Sequence, residues 1–222
     1  MSYLEFNSPP SSGTGGVSSV RKEMLHAAVI IDYQNLNLTG QYLFSAKNQG
    51  FKSFINPLLF SQNLLARRNK LVNLESKKAI LSKVLVFRGL PSPDHDPKLN
   101  SLNIIQARNW QKSNLVHVTH RPLKYYFDRN SRRIIGRAEK GIDVLCALAL
   151  VREAQKSDLV ILASQDTDLM PAVEEAYLFR KGRIETCSWF DRSKKKNGEL
   201  RFEKIKILNT HLDREIYLNS LD

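Results

Sequence analysis

The chain of 222 residues is long enough for one sizeable domain. Hydrophobic residues make up 42% and charged residues 25%, which is the composition of a globular protein and excludes an intrinsically disordered one. Lys and Arg number 34 against 22 Asp and Glu, and the resulting net charge of +12 favours a polyanionic partner such as nucleic acid.

Two functional classes find no support in the sequence. No apolar stretch approaches the roughly 20 residues that a membrane-spanning helix requires, so we expect no membrane partner. The first residues lack the basic start and apolar core of a secretory signal. Cys146 and Cys187 each stand in an apolar run, which predicts two buried thiols in a reducing, cytoplasmic compartment rather than a disulfide framework.

The predicted elements alternate along the chain. Residues 1–22 are rich in Ser, Gly and Pro and are predicted to be a flexible tail, and residues 23–222 form a single domain with a C-terminal extension. Short apolar runs rich in β-formers alternate with segments of helical period, which predicts a parallel sheet flanked by helices. We therefore expect an α/β fold of three layers, Rossmann-like, with a central parallel sheet of about five strands.

The strands are expected at residues 27–32, 84–89, 115–123, 158–164 and 183–190. The helices are expected at 55–76, 97–113, 140–157 and 168–182, and Gly182 should close the last one. Residues 125–141 are interpreted as a basic hairpin or loop. The tract 201–219 is interpreted as an edge strand or a helix.

Asp32 ends the first, apolar strand without starting an obvious helix. Ligands of open α/β sheets bind beyond the carboxyl ends of the strands. A helix over 141–155 climbs roughly 22 Å, and the strand over 158–164 returns roughly 23 Å, so Asp143 should lie near Asp166 and Asp168. Asp32 joins them if the first and fourth strands are neighbours.

Such a cluster of carboxylates calls for a cation, because each pair at 4 Å repels by about 1 kcal/mol in water and about 4 at an effective dielectric of 20. Oxygen ligands without His or Cys suit Mg²⁺ or Mn²⁺. Taken singly, each residue also has a structural interpretation. Asp143 and Asp168 stand where helix dipoles favour carboxylates, Asp166 fits an N-cap, and Asn35 fits a bond that holds the turn after Asp32.

Basic residues between the third strand and the Asp143 helix should open toward the same edge and are candidate clamps for a nucleic-acid backbone. They are Arg121, Lys124, Arg129, Arg132, Arg133, Arg137 and Lys140. A second basic run, RSKKK, covers residues 192–196. A solvated basic loop is an equally good interpretation of either set.

Three blocks, IIDYQNLN, EKGIDVLCALAL and ILASQDTDLMPAV, resemble in order and spacing the signature blocks of the NYN domain family. That family belongs to the PIN-like nuclease superfamily, and the resemblance spans Ala27–Phe190. It implies a PIN-like fold and a metal-dependent ribonuclease whose acidic residues bind Mg²⁺ or Mn²⁺ and activate water. The resemblance places the catalytic positions, by residue, on Asp32, Asn35, Asp143, Asp166 and Asp168, and the four aspartates are the implied metal ligands.

The chain departs from the family pattern at two points. Gln165 and Thr167 flank Asp166 where the family often has glycines, and their bulk would narrow the crevice. No counterpart of the helical glutamate of many PIN nucleases is found.

The expected function is hydrolysis of RNA phosphodiester bonds. One alternative is an RNA-binding module of the same fold without catalysis, which would bind RNA and release no product. Another is a phosphatase, because the DTD sequence after a strand resembles the nucleophile loop of the haloacid dehalogenases. The sequence leaves open the RNA target, endonuclease or exonuclease action, and the oligomeric state, including a homo-oligomer.

Overall fold

The computed structural model describes residues 24–45, 54–72, 78–193 and 196–222. The predicted tail, residues 1–22, lies outside these ranges. The strands are β1 (Leu25–Asp32), β2 (Ala79–Leu90), β3 (Val116–Pro122), β4 (Lys124–Phe127), β5 (Ile134–Ala138), β6 (Leu159–Ala163), β7 (Arg183–Asp191), β8 (Lys196–Asn197) and β9 (Leu208–Leu212). The helices are α1 (Tyr33–Phe44), α2 (Pro57–Leu71), α3 (Pro97–Trp110), α4 (Ile142–Ala154), α5 (Met170–Phe179) and α6 (Arg214–Asn219).

Seven strands form the central sheet. Six are parallel, in the order β3-β2-β1-β6-β7-β9, and the two-residue β8 pairs antiparallel with the end of β7. The strands β1 and β6 occupy the centre, and their apolar residues are buried on both faces, as parallel strands covered by helices require. No helix in the described ranges has the length and apolar character needed to span a membrane.

Helices cover both faces of the sheet. Alternate residues of β1 divide between two cores, since Val29 and Ile31 pack with α1, α2 and α6, whereas Ile30 packs with α4 and α5. The aromatic rings of the first core include Trp189, which contacts Phe60 and Tyr217. The expected α/β fold of three Rossmann-like layers is confirmed.

All five predicted strands exist, and each pairs as the parallel scheme requires. The C-terminal tract supplies both a sheet strand, β9, and a helix, α6. The segment predicted as a hairpin or loop, residues 125–141, falls largely within the β4–β5 hairpin, which begins at Lys124. Cys146 and Cys187 are buried free thiols, as predicted.

Two element predictions are wrong. The helix predicted to run to Gly182 ends at Phe179, and Arg180 leaves it in extended conformation. Gly182 serves a close approach instead, because the carbonyls of Ser157 and Asp158 leave no room for a Cβ there.

The second error concerns Asp32, which does start a helix. Its side chain caps α1 by accepting a hydrogen bond from the Asn35 backbone N–H. The helix α1 was absent from the predicted elements.

Candidate functional site

The order in which the chain adds strands to the sheet reverses between β1 and β6. From β1 the chain adds β2 and β3 on one side, then returns to add β6, β7 and β9 on the other. Ile31 of β1 pairs with Ala163 of β6, so Asp32 and Ser164 leave the two central strands side by side. This crevice is the topological switch point, where open α/β sheets bind ligands.

Asp32 is a buried carboxylate, 6% exposed. Its Oδ1 accepts from the Asn35 N–H at 3.2 Å, and its Oδ2 accepts from the Ser164 hydroxyl at 3.3 Å. Burial raises the pKa of Asp32 to about 6. The two hydrogen bonds oppose this rise, whereas the negative charges of Asp166 and Asp143 add to it.

Asn35 fastens the loop after β6 to the start of α1. Its side-chain Oδ1 accepts from the Gln165 backbone N–H at 2.9 Å, across 130 positions of sequence. The bond therefore joins two distant segments. The structural interpretation, in which the Asn35 side chain holds the turn after Asp32, is wrong. In the same loop, the Asp166 N–H donates to the Ser164 hydroxyl at 3.2 Å. Asp32, Asn35 and Asp166 therefore belong to one hydrogen-bonded unit, and they line a common pocket.

The other two predicted aspartates lie at helix starts. Asp143 stands in the first turn of α4 and acts electrostatically on Asp32. Asp168 lies exposed in a short 3-10 turn over Thr167–Leu169, where its N–H donates to Asp166 Oδ1 at 3.0 Å. Asp166 thus caps this turn. Asp143 is brought into the charge cluster, whereas Asp168 contributes its backbone to the loop.

Glu139 is the site residue that the sequence reasoning missed. It lies between β5 and α4 and lines the same pocket as Asp32 and Asp166. Its Oε1 accepts from the Gly89 N–H at 2.6 Å. With its amide nitrogen turned toward Glu139, the Gln34 side chain donates to both carboxylate oxygens, at 2.9 and 3.2 Å. Burial raises the pKa of Glu139 and the charge of Asp32 adds to the rise, whereas the Gly89 hydrogen bond and the charge of Arg88 oppose it.

A signal for Glu139 stood in the sequence, since it opens the EKGID block on which the resemblance to the NYN domain family rests. It belongs to a loop rather than to a helix, so a search for a helical glutamate passes over it.

The buried thiol of Cys146 lies within the electrostatic reach of four carboxylates. Burial raises its pKa, and the charges of Asp32, Asp143, Glu139 and Asp166 all raise it further. No described Lys, Arg or His forms an ion pair with any of the four. Negative charge therefore accumulates at the switch point without a paired cation.

Oxygen ligands of this kind fit a hard divalent cation in their chemistry. As the side chains stand, no three His, Cys, Asp or Glu residues of the described ranges are grouped closely enough to hold a metal ion. The unbalanced charge on Asp32 is thus the feature that favours a cation here.

Gln165 does not fill the crevice that its bulk was expected to narrow. Its backbone binds Asn35, and its side-chain amide donates to the Trp189 carbonyl at 3.4 Å, toward β7. Thr167 lies exposed in the 3-10 turn.

The basic candidates lie around the hairpin on the same edge of the sheet. Arg121 follows β3, and its guanidinium lies beside Gly141, the N-cap of α4. Arg137 pairs with Asp96 at 2.7 Å. Lys124, Arg129, Arg132, Arg133 and Lys140 are exposed. The run 192–196 lies partly outside the described residues.

Comparison with protein-family models finds no match, and comparison with curated proteins finds none either. Among solved structures, the chain is similar to a protein of unknown function from Vibrio parahaemolyticus, with 19% identity and a TM-score of 0.42, over 74% of this chain and 81% of the other.

Proposed function

We propose that this protein is a metal-dependent ribonuclease of the NYN type that hydrolyses RNA phosphodiester bonds at the β1–β6 switch point. The observation that carries this is the buried Asp32 carboxylate, which shares a pocket with Glu139 and Asp166, lies within the electrostatic reach of Asp143, and has no paired cation among the described residues. Negative charges close to the buried Asp32 carboxylate cost stability, so their accumulation favours a function that brings in positive charge.

The residues have distinct roles in this mechanism. Asp32, Asp143 and Asp166 would hold Mg²⁺ or Mn²⁺, whose chemistry is to lower the pKa of a water and stabilise charge on the scissile phosphate. Asn35 fixes the Asp166 loop through Gln165. Glu139, held by Gly89 and Gln34, stands ready to orient or accept a proton from the attacking water.

The expected substrate is RNA because a basic hairpin stands on the same edge of the sheet. The exposed Arg129, Arg132 and Arg133 supply phosphate contacts, and the exposed Tyr126 and Phe127 supply surfaces on which bases can stack. This arrangement fits a polyanion such as RNA. The metal at the carboxylates would bind the scissile phosphate, and the arginine side chains of the hairpin would bind the adjacent phosphates.

The test is cleavage of labelled single-stranded RNA with Mn²⁺. Asp32→Asn should lower the rate by about 100-fold or more, and Glu139→Gln should also lower it, as loss of metal or proton-transfer groups does. Asp158→Asn is the matched control, because Asp158 lies at the opposite edge of the sheet, where it accepts from the His26 N–H. Equal cleavage by wild type and Asp32→Asn would exclude this site.

Metal binding has a readout apart from activity. Mn²⁺ should raise the melting temperature of the wild-type protein, because an ion that binds the folded state stabilises it. It should do so much less for Asp32→Asn.

One observation favours a second candidate, an RNA-binding module without catalysis. No three acidic side chains of the described ranges are placed to share an ion. Such a module would retain RNA with an affinity that falls as salt rises, and it would release no product with any divalent ion.

We also propose a cytoplasmic location, supported by the buried free thiols Cys146 and Cys187, which suit a reducing compartment. Microscopy of the tagged protein in cells tests it.

A further inference from the structure

A cavity of about 230 Å³ adjoins the carboxylate pocket. The two share Gln34, Leu38 and Glu139 as a common wall. The cavity is smaller than the roughly 300–1,000 Å³ of sites for drug-sized ligands. It therefore has room for a single flat ring system rather than for a whole nucleotide.

Arg88, at the end of β2, is the charged group in the wall of this cavity. It is 7% exposed, and its guanidinium lies 4.5 Å from the centre of the Tyr33 ring and 5.5 Å from that of Trp110. Nη1 donates to Gln106 Oε1 at 2.9 Å. No described carboxylate forms an ion pair with it. A guanidinium has five N–H donors, so most of this group's capacity is left for a ligand.

Asn103, on α3, also lines the cavity, but it presents no free polar atom to it. It is 2% exposed, and its Nδ2 donates to the Leu99 carbonyl at 2.9 Å. Its Oδ1 is buried without a hydrogen-bond partner. This oxygen has no surface open to the cavity, so the guanidinium of Arg88 is the polar group of this wall that a ligand can reach.

The other residues that line the cavity favour a nucleobase over a phosphate group as its ligand. Leu99, Leu123 and Phe54 make them largely apolar, and Glu139 brings negative charge to the boundary. Arg137, the other arginine of the lining, is already paired with Asp96. A phosphate would meet apolar walls and a carboxylate, whereas the faces of a base suit the walls and its edge suits the polar groups.

We propose that this cavity is a subsite for a guanine base beside the carboxylate site. Arg88 donates to guanine O6 and N7, the base contact that arginine makes most often. Glu139, on the wall that the two pockets share, accepts from the guanine N1–H. That the base belongs to an RNA strand being cleaved rests on the function proposed above.

Binding of mononucleotides tests the subsite without any cleavage. Isothermal titration in EDTA should give guanosine 5′-monophosphate a dissociation constant about tenfold or more below that of uridine 5′-monophosphate, since a good bidentate pair discriminates by about that much. Adenosine 5′-monophosphate should resemble the uridine compound, because adenine lacks the O6 acceptor and the N1–H donor.

Two variants locate the binding. Leu123→Trp should fill the cavity and remove the guanosine preference, whereas Leu178→Trp, the same change at an exposed position of α5, should preserve it. Circular dichroism confirms that each variant is folded.

Equal affinity for the guanosine and uridine compounds, absence of binding, or an unchanged preference in folded Leu123→Trp would overturn the guanine subsite. Guanosine binding with the expected variant pattern, together with no RNA cleavage, would keep the subsite and reject only the nuclease.

Discussion

Asp32 combines two roles that act on its charge in opposite directions. As the N-cap of α1 it accepts a backbone hydrogen bond, which favours the ionised form. Burial and the neighbouring carboxylates favour the neutral form. Their combined effect is larger than that of the hydrogen bonds, so the pKa of Asp32 rises to about 6. A residue needed only as a cap gains nothing from such surroundings, because an uncharged Asn caps a helix equally well.

The protein without metal should therefore be more stable when Asp32 is replaced by Asn. The folded-state pKa of Asp32 lies about two units above the unfolded value of 3.8, so its contribution to stability is full below pH 3.8 and is lost as the pH rises through 6. At about 1.4 kcal/mol per unit, charging it costs about 3 kcal/mol. Asn keeps the cap and removes the charge.

Urea denaturation in EDTA measures this. Asp32→Asn should gain up to about 3 kcal/mol over wild type at pH 7.5, and the gain should vanish near pH 4. Asp158→Asn, which removes one carboxylate from the opposite end of the strands, is the control variant. A destabilised Asp32→Asn at pH 7.5 would contradict the unbalanced charge.

The placement of Asp32, Asp143 and Asp166 could be predicted from sequence, because a parallel sheet returns every helix start and strand end to one edge. The contact that holds Glu139 in the site could not, because it depends on how the loop before α4 meets the Gly89 N–H at the end of β2. The unused Asn103 acceptor and the buried Arg88 also escaped prediction, since burial of a polar side chain in α3 or β2 depends on tertiary packing.

At the scale of elements, the β4–β5 hairpin is fastened to the loop before α3. The Tyr125 hydroxyl donates to Asp96 Oδ2 at 2.8 Å, Arg137 pairs with the same carboxylate, and the His95 ring contacts Tyr125 and Phe127. This loop follows β2, so the hairpin stands at the edge where the carboxylates lie. Its far end, with Arg132 and Arg133, remains exposed.

Removing both exposed arginines with Arg132→Ala and Arg133→Ala should weaken RNA binding across sequences. Each phosphate contact with a single strand contributes about 0.7 to the slope of log affinity against log salt, so the slope should fall by about 1.4. The control is Lys181→Ala with Arg183→Ala, which removes the same charge at the opposite edge of the sheet. Filter binding over a salt series measures both, and equal slopes would exclude the hairpin as a binding surface.

The hairpin was one of two structures foreseen for its segment, whereas α1 was not foreseen at all. Its sequence, YQNLNLTGQYLF, contains Asn, Thr and Gly, which are weak helix formers. Tertiary packing forms it nonetheless. A Cβ at Gly40 would lie 2.9 Å from the Tyr217 ring and 3.2 Å from Trp189 Nε1, so the glycine that weakens the helix allows it to pack.

At the scale of the whole molecule, two regions of the protein differ in whether their charged side chains form ion pairs. On the face of the sheet covered by α2, Arg68 of α2 and Glu185 of β7 form a bidentate ion pair, at 2.9 and 2.7 Å. Both side chains are almost fully buried. Asn69 continues the link by exchanging two hydrogen bonds with the Ala79 backbone at the start of β2. The charges of Arg68 and Glu185 are therefore paired, whereas the carboxylates around Asp32 have no paired cation among the described residues.

Breaking the matched pair should therefore destabilise the fold without altering the site. Arg68→Met leaves Glu185 buried and unpaired, which costs about 3–5 kcal/mol in such cases, whereas Arg68→Met with Glu185→Leu removes both charges and should recover most of that loss. Urea denaturation of the two variants measures the difference. The folded double variant should cleave RNA at the wild-type rate, because the pair lies across the sheet from Asp32. A stable double variant that no longer cleaves RNA would mean that the ion pair and the carboxylate site are coupled.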